Sequence, residues 1–304
     1  MTTSFKTNPE SLKDLMRDCR EGRLQLPDFQ RGWVWDQDRI IDLIASISEG
    51  FPIGALMSLD ASGEVTFAVR PVEGANPTNP NLEAYLLDGQ QRMTSLYQAT
   101  STQSPVVTKT AKGRPAKLHF YFDIEKCLDP ECSRRDAILS VPEDRILRTD
   151  FGRKVDKDLS NEANEIELLH FPIDRIFDAQ DWHQALLLWA AEDLANRQEH
   201  LNKSSAFIKQ IAAAFQDFKV PVITLGKDTS REAVCLVFEK VNTGGKPLDA
   251  FELVTAMYAA DKFNLRDDWK KRRSELSKYR VLAKIEPVEF LQAVSLLHTL
   301  DMRR

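Results

Sequence analysis

The sequence predicts an α+β fold in which a strand-containing N-terminal part is followed by a mainly helical part. Two observations predict this order. Within the first 125 residues, short strand-like runs alternate with amphipathic helical segments, whereas from Asp181 onward apolar residues recur mostly at helical spacing. A chain of 304 residues with 42% hydrophobic content is long enough for one large or two small domains. We therefore expect a first domain over 1–125, an irregular insertion or linker over 126–180, and a helical part over 181–304 that completes the domain.

The N-terminal part begins with two predicted helices. The first runs from about Pro9 to Glu21, and Gly22 favours its end. Its apolar residues recur at the spacing i, i+3, i+4, i+7 of an amphipathic helix. They are Leu12, Leu15, Met16 and Cys19. The second helix begins with Asp36 as its N-cap and ends before Gly50.

Strand-like runs follow these helices, separated by turn residues. The predicted strands are Gly54–Leu59, Val65–Val72, Ala84–Leu87 and Lys117–Asp123. A helix is predicted from about Gly89 to Thr100, and residues 101–116 read as a polar loop. Residues 124–165 read as polar and irregular, which is typical of an insertion.

The second half reads as helical with one extended break at Val220–Leu225. Four aromatic and aliphatic residues before the break share one helical face. They are Phe207, Ile211, Phe215 and Phe218. Successive helices are then predicted over 229–242, 247–262, 265–284 and 287–301.

Composition excludes several classes of protein. The net charge of -5 argues against a uniformly basic nucleic-acid binder, although local basic patches remain compatible with it. No signal sequence or run of ~20 apolar residues occurs, so we expect a soluble cytoplasmic protein. The four cysteines form no CxxC pair and the five histidines show no metal spacing. The His-His-Asn set of an HNH nuclease is also missing.

The first candidate site is the segment Asp88-Gly89-Gln90-Gln91-Arg92, which follows an apolar strand. A strand-to-helix turn exposes free backbone N–H groups and the positive end of the helix dipole, which together favour an anion. Side-chain amides and the Arg92 guanidinium could add donors to a phosphate. Alternatively, Asp88 and Gln91 form a capping box and the segment has only a structural role.

A second candidate is Leu26–Trp35, in which Gln30 and Arg31 are adjacent to aromatic residues. Arg31 could pair with a phosphate while Trp33 or Trp35 stacks on a base. The alternative is that the aromatic residues are core anchors, an interpretation that we favour for Trp35.

The third candidate is Phe238–Leu248, where a predicted helix ends at Asn242 and Gly244 with Gly245 turns the chain into the next helix. Such turn residues are expected between any two helices joined by a short turn. A small-residue turn also lets the backbone, Asn242 and Thr243 approach a ligand. The segment is not a Walker A loop, because the leading glycine spacing is absent.

Basic residues cluster at two places. One stretch carries Lys109, Lys112, Arg114 and Lys117 without an acidic residue. The other is the predicted helix 265–284, which contains Lys270, Lys271, Arg272 and Arg273. Such clusters can follow a phosphate backbone, whereas a charged helix is more commonly a solvated face.

The three candidate segments together resemble the N-terminal domain of the GmrSD restriction endonuclease family. The resemblance rests on LPDFQRGWVW, YLLDGQQRMTSL and VFEKVNTGGKPLDAFELVTA, in this order and spacing. It implies a ParB/sulfiredoxin-like domain with a small mixed sheet, a role in bacterial antiviral defence, and an NTPase activity that regulates DNA restriction. It also implies DNA and an HNH-type nuclease domain or subunit as partners. The nuclease is absent from these 304 residues, and a homodimer stays open.

The resemblance also implies the site residues. Asp88, Gln91 and Arg92 would be catalytic, with Mg²⁺ held by Asp88. The nucleotide, GTP or ATP, would contact Gln30, Arg31, Gly89, Gln90, Asn242, Thr243 and Gly244. Three alternatives remain: a DNA-binding and sensing module without turnover, a ParB-like nuclease that depends on Asp88, and a structural adaptor.

Overall fold

The computed structural model describes residues 5–28, 30, 32–78, 80–230 and 265–302, with isolated positions between 233 and 263. It confirms the α+β fold class: three sheets, of six, four and two strands, are combined with helices, and the C-terminal part is helical. The α-helices are α1 (Leu12–Glu21), α2 (Gln37–Ser48), α3 (Gln90–Ser101), α4 (Ile124–Leu128), α5 (Glu162–Glu167), α6 (Ala179–Ala191), α7 (Leu194–Phe207), α8 (Ala213–Asp217), α9 (Leu265–Leu276) and α10 (Pro287–Met302).

The strands are β1 (Phe5–Ser11), β2 (Leu24–Pro27), β3 (Leu56–Asp60), β4 (Val69–Arg70), β5 (Ala84–Asp88), β6 (Val106–Lys109), β7 (Pro115–Asp123), β8 (Ile138–Pro142), β9 (Ile146–Thr149), β10 (Lys154–Asp158), β11 (His170–Pro172) and β12 (Lys219–Leu225). Six of them form the first sheet in the order β1-β12-β3-β5-β2-β4. The sheet is mixed, because β12 and β3 are parallel, as are β2 and β5, and the other neighbours are antiparallel.

Local signals correctly predicted where α1 ends and where α2 begins. Helix α1 ends at Gly22, which adopts the left-handed φ of 72°. The Asp36 side chain accepts a hydrogen bond from the Arg39 amide and caps α2, as predicted. The predicted start of α1 at Pro9 is wrong, because Pro9 pairs with Pro221 in the antiparallel ladder of β1 and β12.

The second sheet was predicted only in part, because β7 alone was expected, as the strand Lys117–Asp123. It has the order β11-β7-β6, and β8 also pairs with β7. Residues 101–116, predicted to be a loop, contain β6, and residues 124–165, predicted to be irregular, contain strands and helices. These strands are short and partly exposed, so their sequences lack the apolar alternation that identifies longer strands. The domain boundaries themselves stay predictions.

One large apolar core lies between α1, α2, α3 and one face of the first sheet and continues to the second sheet. The predicted helical stripe contributes to it, since Phe207, Ile211 and Phe215 are buried there; a π-helical turn, Ile208–Ala212, joins α7 to α8. A smaller core that includes Tyr85 and Leu87 covers the opposite face of β5. Strand β5 is therefore buried on both faces, which fixes the position of the residues that follow it.

Two further predictions concern cysteines and membranes. Cys19 and Cys127 are free and buried, and Cys132 is half-buried. Within the part of the chain that the structure describes, none of the helices has the length and apolar content that a membrane span needs. The predicted helices over 229–242 and 247–262 lie largely outside the described residues.

Candidate functional site

The centre of the candidate site is the junction between β5 and α3. Strand β5 ends at Asp88, and Gly89 turns the chain with a φ of 93° into the helix that begins at Gln90. A Cβ atom on Gly89 would lie 2.2 Å from Cδ2 of Leu56, so both the backbone conformation and the space require glycine. This close approach places the start of α3 directly against β3.

The capping box predicted for Asp88 and Gln91 is wrong. The N-cap is Gly89, one residue later than a capping box needs, and no side chain caps the helix. Gln91 instead accepts a hydrogen bond from the Val34 amide (3.0 Å) and donates to the Gly32 carbonyl (3.3 Å). The side chain of Gln91 therefore holds the 32–34 segment beside α3.

Arg92 turns inward from this junction. Its Nη1 donates to the Ile53 carbonyl (2.7 Å), and its Nη2 donates to the Ala55 carbonyl (2.8 Å) and approaches Asp88 Oδ2 at 3.3 Å. Burial lowers the pKa of Arg92, and the Asp88 carboxylate opposes this shift. A phosphate contact by Arg92 stays a prediction; the described partners of its guanidinium are two carbonyls and one carboxylate.

Gln30 lies beside the end of β5. Its Nε2 donates to the carbonyls of Leu86 (2.8 Å) and Leu87 (3.1 Å). The residue is only 9% exposed, and its Oε1 has no hydrogen-bond partner among the described residues. A buried acceptor without a donor costs about 1–3 kcal/mol, which favours occupation by a water molecule or a ligand group that donates a hydrogen bond.

Glu73 is a residue that the sequence did not single out. It accepts hydrogen bonds from Arg70 Nη1 (2.7 Å), the Trp33 amide (3.2 Å) and Thr94 Oγ1 (3.0 Å). The Trp33 indole donates to Ser95 Oγ at 2.9 Å. Trp33 is thus bound to α3 through its ring edge and to Glu73 through its backbone, and it packs against the main core as a partly buried residue.

The other predicted residues are distributed as follows. Gln90, the first residue of α3, is buried. Arg31, Asn242, Thr243 and Gly244 lie outside the described residues. The four basic residues on α9 are far along the chain from the junction, and two of them form exposed ion pairs, Lys270 with Asp267 and Arg272 with Asp268. Contact of α9 with DNA stays a prediction.

Asp88 is the carboxylate available for a metal ion at the junction, and its side chain is 38% exposed. No group of three or more metal-binding side chains occurs within the described ranges. A single carboxylate nevertheless fits Mg²⁺, which commonly keeps several water ligands and binds through one or two carboxylates together with substrate phosphates. The donor set therefore fits a magnesium–nucleotide complex better than a metal site built from protein ligands alone.

Comparison with known proteins adds two findings. A family model described as GmrSD restriction endonuclease, N-terminal domain, matches residues 12–259. The chain is also 27% identical over 278 residues to an uncharacterized protein of Methanocaldococcus jannaschii, an alignment that covers 86% of this chain and 43% of the relative. The chain thus spans less than half the length of the curated relative that it matches.

Proposed function

Because the chain belongs to the family of GmrSD restriction endonuclease N-terminal domains, we propose that it binds and hydrolyses a nucleoside triphosphate, GTP or ATP, within an antiviral DNA restriction system. The ParB/sulfiredoxin-like character implied by the sequence is part of this proposal. The proposed partners of the chain are DNA and an HNH-type nuclease domain or subunit.

The observation that carries the proposal is the tight turn at Gly89 that starts α3 immediately after β5. The first hydrogen bond within α3 runs from the Met93 amide to the Gly89 carbonyl (2.9 Å). The amides before Met93 therefore do not take part in the hydrogen bonds of the helix. These donors coincide with the positive end of the helix dipole, an arrangement that favours phosphate. Gly89 itself adds no side chain at this point.

The side chains around the junction supply three further roles. Asp88, with its partly exposed carboxylate, would hold Mg²⁺, which neutralises phosphate charge when bound. Gln30 Oε1 lacks a described donor and would accept a hydrogen bond from the attacking water. Arg92 orients Asp88 and binds the 53–55 segment. Arg31, which follows Gln30 in the sequence, would supply the cation that contacts the phosphates.

The test is phosphate release from ATP, GTP, CTP and UTP with Mg²⁺, with and without DNA. Wild type is compared with Asp88→Asn, which keeps the shape of the side chain and removes its charge. Asp144→Asn is the matched control, because Asp144 also pairs with an arginine four residues later, Arg148, at an exposed site away from the junction.

We expect turnover by wild type and by Asp144→Asn, and a loss of about 100-fold or more in Asp88→Asn, in line with the loss of one electrostatic contact to a transferring phosphoryl group. Turnover by all three proteins would remove Asp88 from the mechanism. Nucleotide binding without turnover by wild type would instead favour a sensing module.

A further inference from the structure

Strands β6 and β7 form a two-stranded ribbon that extends beyond the rest of the second sheet. The pairing runs from Val106 opposite Leu118 to Lys109 opposite Pro115. Strand β8 pairs with β7 only from Leu118 onward. Within the described residues, β6 is therefore the only strand paired with residues 115–117, and the end of the hairpin projects as a ribbon.

The ribbon is well ordered by its own hydrogen bonds. At its turn the Thr110 amide donates to the Arg114 carbonyl (2.8 Å), and the Gly113 amide donates to the Thr110 carbonyl (2.8 Å). At its base Thr108 Oγ1 donates to the Trp35 carbonyl at 2.6 Å. Val106, Thr108 and Leu118 are buried, which anchors one face of the ribbon. The backbone that carries the opposite face is thus held in place before any partner binds.

That opposite face and the turn are positively charged. Lys109, Lys112, Arg114 and Lys117 are exposed, and residues 101–122 include no Asp or Glu. Lys117 pairs with Glu143 at 2.9 Å. Lys109, Lys112 and Arg114 form no ion pair with any described residue, so three cations in a short ribbon are unneutralised.

A groove of about 560 Å³ adjoins the ribbon and connects it with α3. Exposed Val107 of β6 lines it on one side, and Trp33, Gln98 and Thr102 line it on the other. Glu73, the acidic residue of this groove, is neutralised by Arg70 at 2.7 Å. A molecule that contacts the ribbon can therefore reach the C-terminal end of α3.

We propose that the β6–β7 ribbon is a DNA-binding surface, and that Lys109, Lys112 and Arg114 contact the phosphate backbone of duplex DNA. The major groove of B-DNA admits a two-stranded ribbon, and unpaired cations on it displace condensed counterions. Helix α9 has more basic residues, but Asp267 and Asp268 on the same helix neutralise part of its charge. The proposal rests on the proposed function only for the identity of the partner, DNA.

The test is binding of a labelled duplex DNA to the full chain by fluorescence anisotropy, without nucleotide, at several salt concentrations. The variant combines Lys109→Gln, Lys112→Gln and Arg114→Gln. The slope of log K against log salt is negative, and we expect its magnitude to fall by about 2.7, because each phosphate contact contributes about 0.9 to that magnitude. Affinity near physiological salt should fall by about 10- to 100-fold.

Two control variants carry the same change of charge. One combines Lys154→Gln, Lys209→Gln and Lys219→Gln, three exposed positions outside the ribbon, and should bind like wild type. The other changes Lys270, Lys271 and Arg273 to Gln on α9. An unchanged slope in the ribbon variant, a loss confined to the α9 variant, or no DNA binding by wild type would each overturn the proposal. NTP hydrolysis by the ribbon variant, measured separately, reports on the proposed function alone.

Discussion

The carboxylate of Asp88 lies 3.3 Å from the guanidinium of Arg92, one helical turn away, and both residues flank the glycine that starts α3. Arg92 donates at the same time to the carbonyls of Ile53 and Ala55. The two charged residues of the motif thus connect three parts of the chain: the end of β5, the start of α3 and the segment before β3. Asp88 and Arg92 therefore both stabilise the junction and provide its charged groups.

We expect Arg92→Ala to lower the free energy of unfolding by about 3 kcal/mol, because carbonyls that accept from a charged donor lose their partner. Urea denaturation measures this loss. Arg148→Ala is the matched control, because Arg148 also pairs with an aspartate four residues earlier but is 35% exposed. Its removal should cost less than about 1 kcal/mol. Equal losses in the two variants would show that Arg92 does not hold the junction together.

Gly89→Ala should lower the free energy of unfolding by about 2–4 kcal/mol. Alanine is strained in the left-handed backbone conformation of this residue, and its Cβ would overlap Leu56. Gly50→Ala separates the two contributions, because Gly50 has a φ of 75° and nothing within 4 Å of its added Cβ. It should cost about 1 kcal/mol from backbone strain alone. Similar urea midpoints for both variants would argue against the contact with Leu56.

The elements that the sequence predicted best are those whose signals are local. Asp36 caps α2 through an amide three residues away, and Gly22 ends α1 through its own φ. The extended break at Val220–Leu225 is confirmed as β12, although its pairing with β1 and β3 could not be predicted. Strand β6 was missed because it is four residues long and its partner, β7, supplies most of the stabilisation.

For the candidate site, the sequence predicted where the strand-to-helix junction lies but not the direction of its side chains. Whether Arg92 turns outward to a ligand or inward to Ile53 depends on a segment about forty residues earlier in the chain. Glu73 contacts Trp33 across 40 residues and Thr94 across 21 residues. Contacts of this length leave no periodicity in the sequence, so single-sequence reasoning could not find them.

A buried acid of α5, beside the second sheet, allows a separate test of the structure. Glu165 of α5 accepts hydrogen bonds from Tyr121 Oη (3.0 Å) and Arg145 Nη1 (3.3 Å), and Arg145 also donates to Asp174 (3.1 Å). Glu165 is 3% exposed, and its second oxygen has no partner among the described residues. Burial raises the pKa of Glu165 to about 7, although Tyr121 and the nearby arginines oppose the shift.

This shift predicts a pH dependence of stability. Because the pKa of Glu165 in the folded protein is above its ordinary value of 4.5, its contribution is fully present below pH 4.5 and is lost as the pH rises towards about 7. The free energy of unfolding of wild type minus that of Glu165→Gln, measured by urea denaturation, should therefore decrease between pH 4.5 and 7. Glu162→Gln, an exposed change in the same helix, should leave the pH profile unchanged. A difference that is flat or increases over this interval would show that Glu165 is ionised at low pH, with Arg145 dominating its environment.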